Sequence, residues 1–202
     1  ERIHRETLQF AEDHGLADIF YFGIVHTTLA EFLRAWNLLD QAEYHLNTGL
    51  AMIRQGGLNI LLITGLLNQA WLKHSQGDLA GALATIDALR YECRNMDPDT
   101  FQTVCREVRI RCLIDRGELD EAAAWVENVN LNPDSIASFE QARELMLAGR
   151  CLAMLGEYHK AERALDKLES YARMEGHNGL LIQIFVISTI TYGMAKNQAR
   201  AS

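Results

Sequence analysis

The sequence predicts an all-α fold: a right-handed α-α superhelix of about ten helices with a period near 40 residues. Three observations lead there. First, one segment recurs four times. It reads AEFLRAWNLLDQA from Ala30 to Ala42, AWLKHSQGDLAGA from Ala70 to Ala82, IRCLIDRGELDEA from Ile110 to Ala122 and GRCLAMLGEYHKA from Gly149 to Ala161. Each copy places a turn residue (Asn37, Gly77, Gly117, Gly156) five before its last alanine and a large apolar residue (Leu39, Leu79, Leu119, Tyr158) three before it. Second, the closing alanines Ala42, Ala82, Ala122 and Ala161 stand 40, 40 and 39 residues apart. A fixed period in this range marks a solenoid, whose units bury their apolar faces only against neighbours. Third, the chain holds only two prolines, Pro98 and Pro133, so long helices run uninterrupted.

Taken in order, Ile3 to about His14 carries Ile3, Thr7, Phe10 and Ala11 on one helical face. Gly15 stops it as a left-handed C-terminal residue would, so residues 1–16 read as the second half of a repeat. The first full pair, 17–57, runs from Ile19 to Trp36, turns at Asn37, continues from Asp40 to Gln55 and ends at Gly56-Gly57. The second pair, 58–97, is Leu58 to Ser75 and Leu79 to Asn95, hinged at Gly77. The third, 98–134, is Pro98 to Arg116 and Leu119 to Val129. Asp97 stands as N-cap and Pro98 suits a first helical turn. Asn130 to Ser135 is the longest loop signal in the chain. The fourth pair, 135–177, is Ser135 to Leu155 and Tyr158 to Glu175. A last half-repeat, 178–202, holds a helix from about Leu180 to Asn197. Leu181 to Ile190 is rich in β-branched residues and would pass for a strand alone, but its place in the period makes it a helix. The whole of 1–202 reads as one helical-repeat domain. Its start at Glu1 without methionine reads as a fragment of a larger protein.

Composition narrows the functional classes. Hydrophobic residues make up 49%, enough to build a core. Lys and Arg number 19 against 27 Asp and Glu, a net charge of −8, which disfavours direct contact with nucleic-acid phosphates. The cysteines Cys93, Cys105, Cys112 and Cys151 form no C-x-x-C, and no His pair has metal-ligand spacing. They read as small buried hydrophobes in a reducing cytoplasm, with no metal and no cofactor. No signal peptide or apolar run of membrane-spanning length stands out. No nucleophile–base set or carboxylate pair is legible, so an enzyme is not expected and a hydrolase has nothing in its favour.

Several runs carry a resemblance beyond the frame. Leu29 to Leu46 reads LAEFLRAWNLLDQAEYHL. Ala123-Ala-Trp125 precedes Leu131, Glu144 to Arg150 reads ELMLAGR, and Ala164 to Gly176 reads ALDKLESYARMEG. The turn pattern resembles the tetratricopeptide repeat with about six extra residues per pair. The runs resemble the MalT-like branch of LuxR-type transcriptional regulators. The resemblance implies a multidomain activator with an N-terminal signal-transduction ATPase domain, a winged-helix region, a helical-repeat sensor and a C-terminal DNA-binding helix-turn-helix. This chain resembles the sensor, and it contains no phosphate-loop motif. In the best-known member the sensor takes a small inducer and inhibitory protein partners. No ligand motif carries over residue by residue.

The first helix of each pair should line the inner surface of a solenoid. Counting back from the closing alanines gives a stripe of Thr27, Glu31 and Arg34, then Thr64, Leu67, Trp71 and His74. Val104, Glu107 and Arg111 follow, then Arg143, Met146 and Arg150. From it Glu31, Arg34, Trp71, His74, Glu107, Arg111, Arg143 and Arg150 are the candidate ligand- or partner-binding residues on the concave face. Mixed aromatic and charged groups suit a peptide, or a polyol held by stacking and bidentate hydrogen bonds. The plainer reading makes Glu107–Arg111 an i,i+4 ion pair and Trp71 an inter-repeat packing residue. Two classes of function follow. One is a sensor that binds a small effector or a protein. The other is a scaffold for protein interaction or self-association, with Ile182, Phe185, Val186 and Ile190 left uncovered at one end. His45 reads as an outer-surface or inter-helix polar residue.

Overall fold

The structure, a computed structural model, describes residues 2–16, 19–57, 59–93, 98–129 and 136–201. Ten helices and no strand occur among the described residues: α1 (Arg2–Asp13), α2 (Phe22–Ala35), α3 (Leu39–Gln55), α4 (Asn59–Ser75), α5 (Leu79–Glu92), α6 (Pro98–Asp115), α7 (Asp120–Asn128), α8 (Phe139–Met154), α9 (Tyr158–Met174) and α10 (Asn178–Ala201). The chain divides into two compact units, Glu1–Cys112 and Leu113–Ser202.

The repeated turn has one physical form. Asn37, Gly77, Gly117 and Gly156 all take positive φ, between 60° and 81°. In each case the next residue's N–H closes back onto the carbonyl five residues earlier, at 2.9 Å: Leu38 to Leu33, Asp78 to Lys73, Glu118 to Leu113 and Glu157 to Leu152. This left-handed stop satisfies helix-end carbonyls and reverses the chain tightly. At the first helix end, Gly15 at φ 67° and the Leu16 N–H on Ala11 O at 2.8 Å repeat the device. The closing alanines Ala42, Ala82, Ala122 and Ala161 are completely buried. In the α2–α3, α4–α5 and α8–α9 hairpins only a methyl group fits where the two helices approach.

In the first unit the core runs through Leu29, Leu33, Leu46, Leu50, Ile53, Leu66, Ala70, Ile86, Leu89 and Val108. α2 and α3 approach most closely at Gly23 and Gly49. A Cβ on Gly23 would lie 2.8 Å from the Gly49 carbonyl oxygen, so neither tolerates a side chain without separation of the helices. In the second unit α8, α9 and α10 enclose Leu145, Met146, Leu165, Leu168, Leu180, Ile184 and Ile187.

Some boundaries differ from the sequence reading. α8 begins at Phe139, four residues later than Ser135. The Ser138 Oγ accepts from the Gln141 N–H at 3.2 Å, and the Gln141 side chain accepts from the Ala137 N–H at 2.8 Å, so the cap sits at Ser138. α2 begins at Phe22 rather than Ile19, because the N–H groups of Ile19, Phe22, Gly23 and Ile24 form turn bonds to carbonyls three residues back. The expected loop at Asn130 to Ser135 and the Asp97 cap lie outside the described residues. The β-branched run Leu181 to Ile190 is helical. Leu180, Ile184, Ile187 and Thr191 fall at helical spacing on the buried face of α10. One expectation is corrected. Asn178–Gln198 is long and apolar enough, by length and composition alone, to cross a membrane. Gln183, Ser188, Thr189 and Thr191 interrupt the apolar run, but none is charged, so the mean hydropathy stays high. A core helix of a repeat passes the same test.

Candidate functional site

α2, α4 and α6 are the first helices of successive pairs, and Glu31, Trp71 and Arg111 each stand eleven residues before a closing alanine (42 − 31, 82 − 71, 122 − 111). Equivalent positions in neighbouring repeats stack on one face, and this register brings the side chains together. Trp71 is half-buried and packs its ring against the core of the first unit. The Arg111 guanidinium lies 5.1 Å from the indole centroid, and that of Arg34 lies 5.7 Å away. Cations at that distance from an indole gain about 0.5–2 kcal/mol, more as water is excluded. His74, one turn on, meets the indole edge-on at 5.8 Å.

Charge compensation around the indole is uneven. Arg111 Nη1 lies 3.6 Å from Glu107 Oε1, the expected i,i+4 pair on α6. Arg34 has a different environment. Its Nη1 donates one long bond, 3.4 Å, to the Ser75 Oγ, which in turn donates to the Trp71 carbonyl at 3.0 Å. Among the described residues no carboxylate lies within ion-pairing distance of Arg34. Burial pushes the Arg34 guanidinium below its usual range, and the fields of Glu31 and Glu107 only partly oppose this. Glu31 itself is exposed.

Six of the eight candidate residues (Glu31, Arg34, Trp71, His74, Glu107 and Arg111) therefore fall in one neighbourhood of the first unit. Arg143 and Arg150 lie on α8 in the second unit, Arg143 exposed and Arg150 half-buried. Met146, between them in sequence, is a core residue and drops out of the stripe. Thr27 drops out likewise: it is buried, and its hydroxyl donates to the Ile24 carbonyl at 3.0 Å. Leu67 packs against the core, Thr64 is exposed, and the Val104 side chain lies outside the described residues.

Sequence reasoning passed over three polar groups. Asn68, one turn before Trp71, donates to the Thr27 carbonyl at 3.5 Å and ties α4 to α2. Lys73 donates to the Thr85 hydroxyl at 3.1 Å and the Gly81 carbonyl at 3.4 Å, fastening α4 to α5. His26 and His45 meet Nδ1 to Nδ1 at 2.9 Å between α2 and α3. His45 is thus an inter-helix residue. Its partner was illegible because the two belong to opposite helices, 19 residues apart. Burial, then the neighbouring His45, holds His26 down at about 4. His45 is lowered by burial and by Arg5.

The four cysteines are buried free thiols. Burial pushes Cys105 up to about 11 and Cys151 up to about 12, so neither has thiolate character near neutrality. Among the described residues no three His, Cys, Asp or Glu side chains gather as metal ligands would.

Hairpins of antiparallel helices with buried closing alanines and left-handed turns, repeated at forty-residue steps, define a tetratricopeptide-like repeat protein. The family model of the MalT-like TPR region matches residues 1–202, and the chain belongs to that family. No curated protein matches it.

Proposed function

We propose that this chain is the sensing region of a multidomain, LuxR-type transcriptional activator, and that a small effector or a protein docks on the face lined by α2, α4 and α6. The observation that carries this is the Trp71 indole flanked by guanidinium groups from the repeats on either side. Interfaces favour Trp and Arg, because both give large contact area and directional bonds at modest entropic cost. A surface built by the first helices of three successive repeats would also couple occupancy to the spacing of the repeats. The ATPase and helix-turn-helix functions belong to other parts of such an activator, which works in the cytoplasm. This region makes no direct contact with DNA and performs no chemistry. The test is Trp71→Ala in the intact regulator, with folding checked by circular dichroism and transcriptional response as the readout. Loss of response with retained fold is expected; an unaltered response refutes the reading.

A second reading, a self-association scaffold, has one observation in its favour. Ile182, Phe185, Val186 and Ile190 on α10 are all about half exposed or more. A mass that rises with concentration and ignores effectors would favour it.

A further inference from the structure

We propose that Arg34 is the anchor for a single carboxylate group of the effector, held by the guanidinium fork while the rest of the molecule lies against the Trp71 ring. This rests on the docking reading above and adds the chemistry of the ligand. A guanidinium carries five N–H donors in a planar fork that matches a carboxylate bidentately. Arg34 uses one of them, in a 3.4 Å bond to Ser75, although its side chain is half-buried beside an indole. The rest of the fork keeps contact with water beside the indole, so a carboxylate arriving there exchanges that water for a charge-assisted, bidentate bond. The contrast with Arg111 locates the position: Arg111 faces Glu107 at 3.6 Å, whereas among the described residues Arg34 has no carboxylate partner at that range.

The same surroundings limit the charge of the ligand. Glu31 and Glu107 both act electrostatically on Arg34, so the local balance of two arginines and two glutamates is neutral. One negative charge is accommodated by the fork. A carboxylate meets the repulsion of the glutamates with one charge, whereas a dianionic phosphate or a polyphosphate meets it with two or more. The flat indole favours an aromatic or alicyclic body next to that carboxylate. The ligand class is therefore a monocarboxylic acid with a ring or apolar body.

The experiment is isothermal titration calorimetry of the intact protein with four probes and inorganic phosphate. The probes are two acids, benzoate and indole-3-acetate, and their uncharged isosteres benzamide and indole-3-acetamide. The acids should bind at least tenfold more tightly than the amides, and Arg34→Gln should remove that difference. Arg34→Lys, which keeps charge but not the fork, should retain part of it and guards against a merely misfolded variant. Three results overturn the proposal: no binding of either acid by the wild-type protein, acid binding equal in wild type and Arg34→Gln, or Arg34-dependent binding of phosphate tighter than that of the acids. Loss of both acids and amides in Trp71→Ala, with Arg34→Gln indifferent, would overturn the carboxylate anchor while leaving the docking surface intact.

Discussion

Acid should loosen the first hairpin through His26. The two Nδ1 atoms of His26 and His45, 2.9 Å apart, can share a bond only if one carries a proton and the other accepts it. Once both rings are fully protonated, two N–H donors and two positive charges face each other. The other groups around the pair make matters no easier: Arg5 acts on His45 from α1, the Tyr44 ring stands 5.2 Å from it, and Gly49 packs directly on the His26 side chain. Relief would require α2 and α3 to separate where Gly23 and Gly49 hold them closest. The sign follows from linkage. An unfolded His26 takes its proton near 6.5 and the folded one near 4. Above 6.5 both states are neutral and nothing is lost. Between 6.5 and about 4 the unfolded chain binds the proton first, so stability falls with pH and levels off below 4. At about 1.36 kcal/mol per pKa unit, the full difference would cost at most about 3.4 kcal/mol. Because the ring is only half-buried, solvent screening reduces this to about 1–2 kcal/mol. His45, lowered in the same direction by burial and by Arg5, adds to the loss as the pH falls. Urea unfolding at pH 7.5 and pH 4.5, on the wild type and His26→Asn, isolates the effect because all other groups titrate in both proteins. The wild type should lose about 1–2 kcal/mol more than the variant on acidification. Equal losses would refute the reasoning.

Other consequences are independent of that pair. Ala82→Leu forces a larger side chain into a completely buried hairpin contact and should cost about 1–3 kcal/mol in urea unfolding. Gly156→Ala places a Cβ at φ 80° and should cost about 1–2 kcal/mol, whereas Asn37→Gly, at φ 60°, should be neutral or slightly stabilising by the same assay. Cys151, buried and pushed up to about 12, should resist a thiol reagent at pH 8 in the native protein and react on unfolding. If the uncovered face of α10 drives association, Phe185→Ser with Ile182→Ser should lower the sedimentation-equilibrium mass without unfolding the chain.

The fold was legible because the repeat writes the same physical requirement four times. A left-handed turn needs Gly or Asn, and a close helix contact needs Ala, so the spacing of Asn37 to Ala42 recurs at Gly77 to Ala82, Gly117 to Ala122 and Gly156 to Ala161. Helix starts were less legible. α8 turned on whether Ser135 or Ser138 caps, and only the reciprocal bonds with Gln141 separate the two. For the candidate surface, the period brought Glu31, Trp71 and Arg111 into register without any structure. The period alone could not tell which members face inward to the core, and Thr27 and Met146 are buried where a face-on stripe was expected. A helical stripe is about a hundred degrees wide, so its margins are decided by the crossing of neighbouring helices rather than by spacing. The His26–His45 bond lay beyond reach for a related reason: it depends on how α2 and α3 cross at two glycines.

The proposed docking face lies on the first helices rather than on the second. The most direct test compares alanine substitutions on the two faces in the intact protein, reading transcriptional response with fold verified. Arg34→Ala and Trp71→Ala on α2 and α4 should each reduce the response about tenfold or more, an energy of about 1.4 kcal/mol. Tyr44→Ala and Tyr91→Ala, on exposed positions of α3 and α5, should leave it unchanged. A response that survives the first pair and fails with the second would contradict the account.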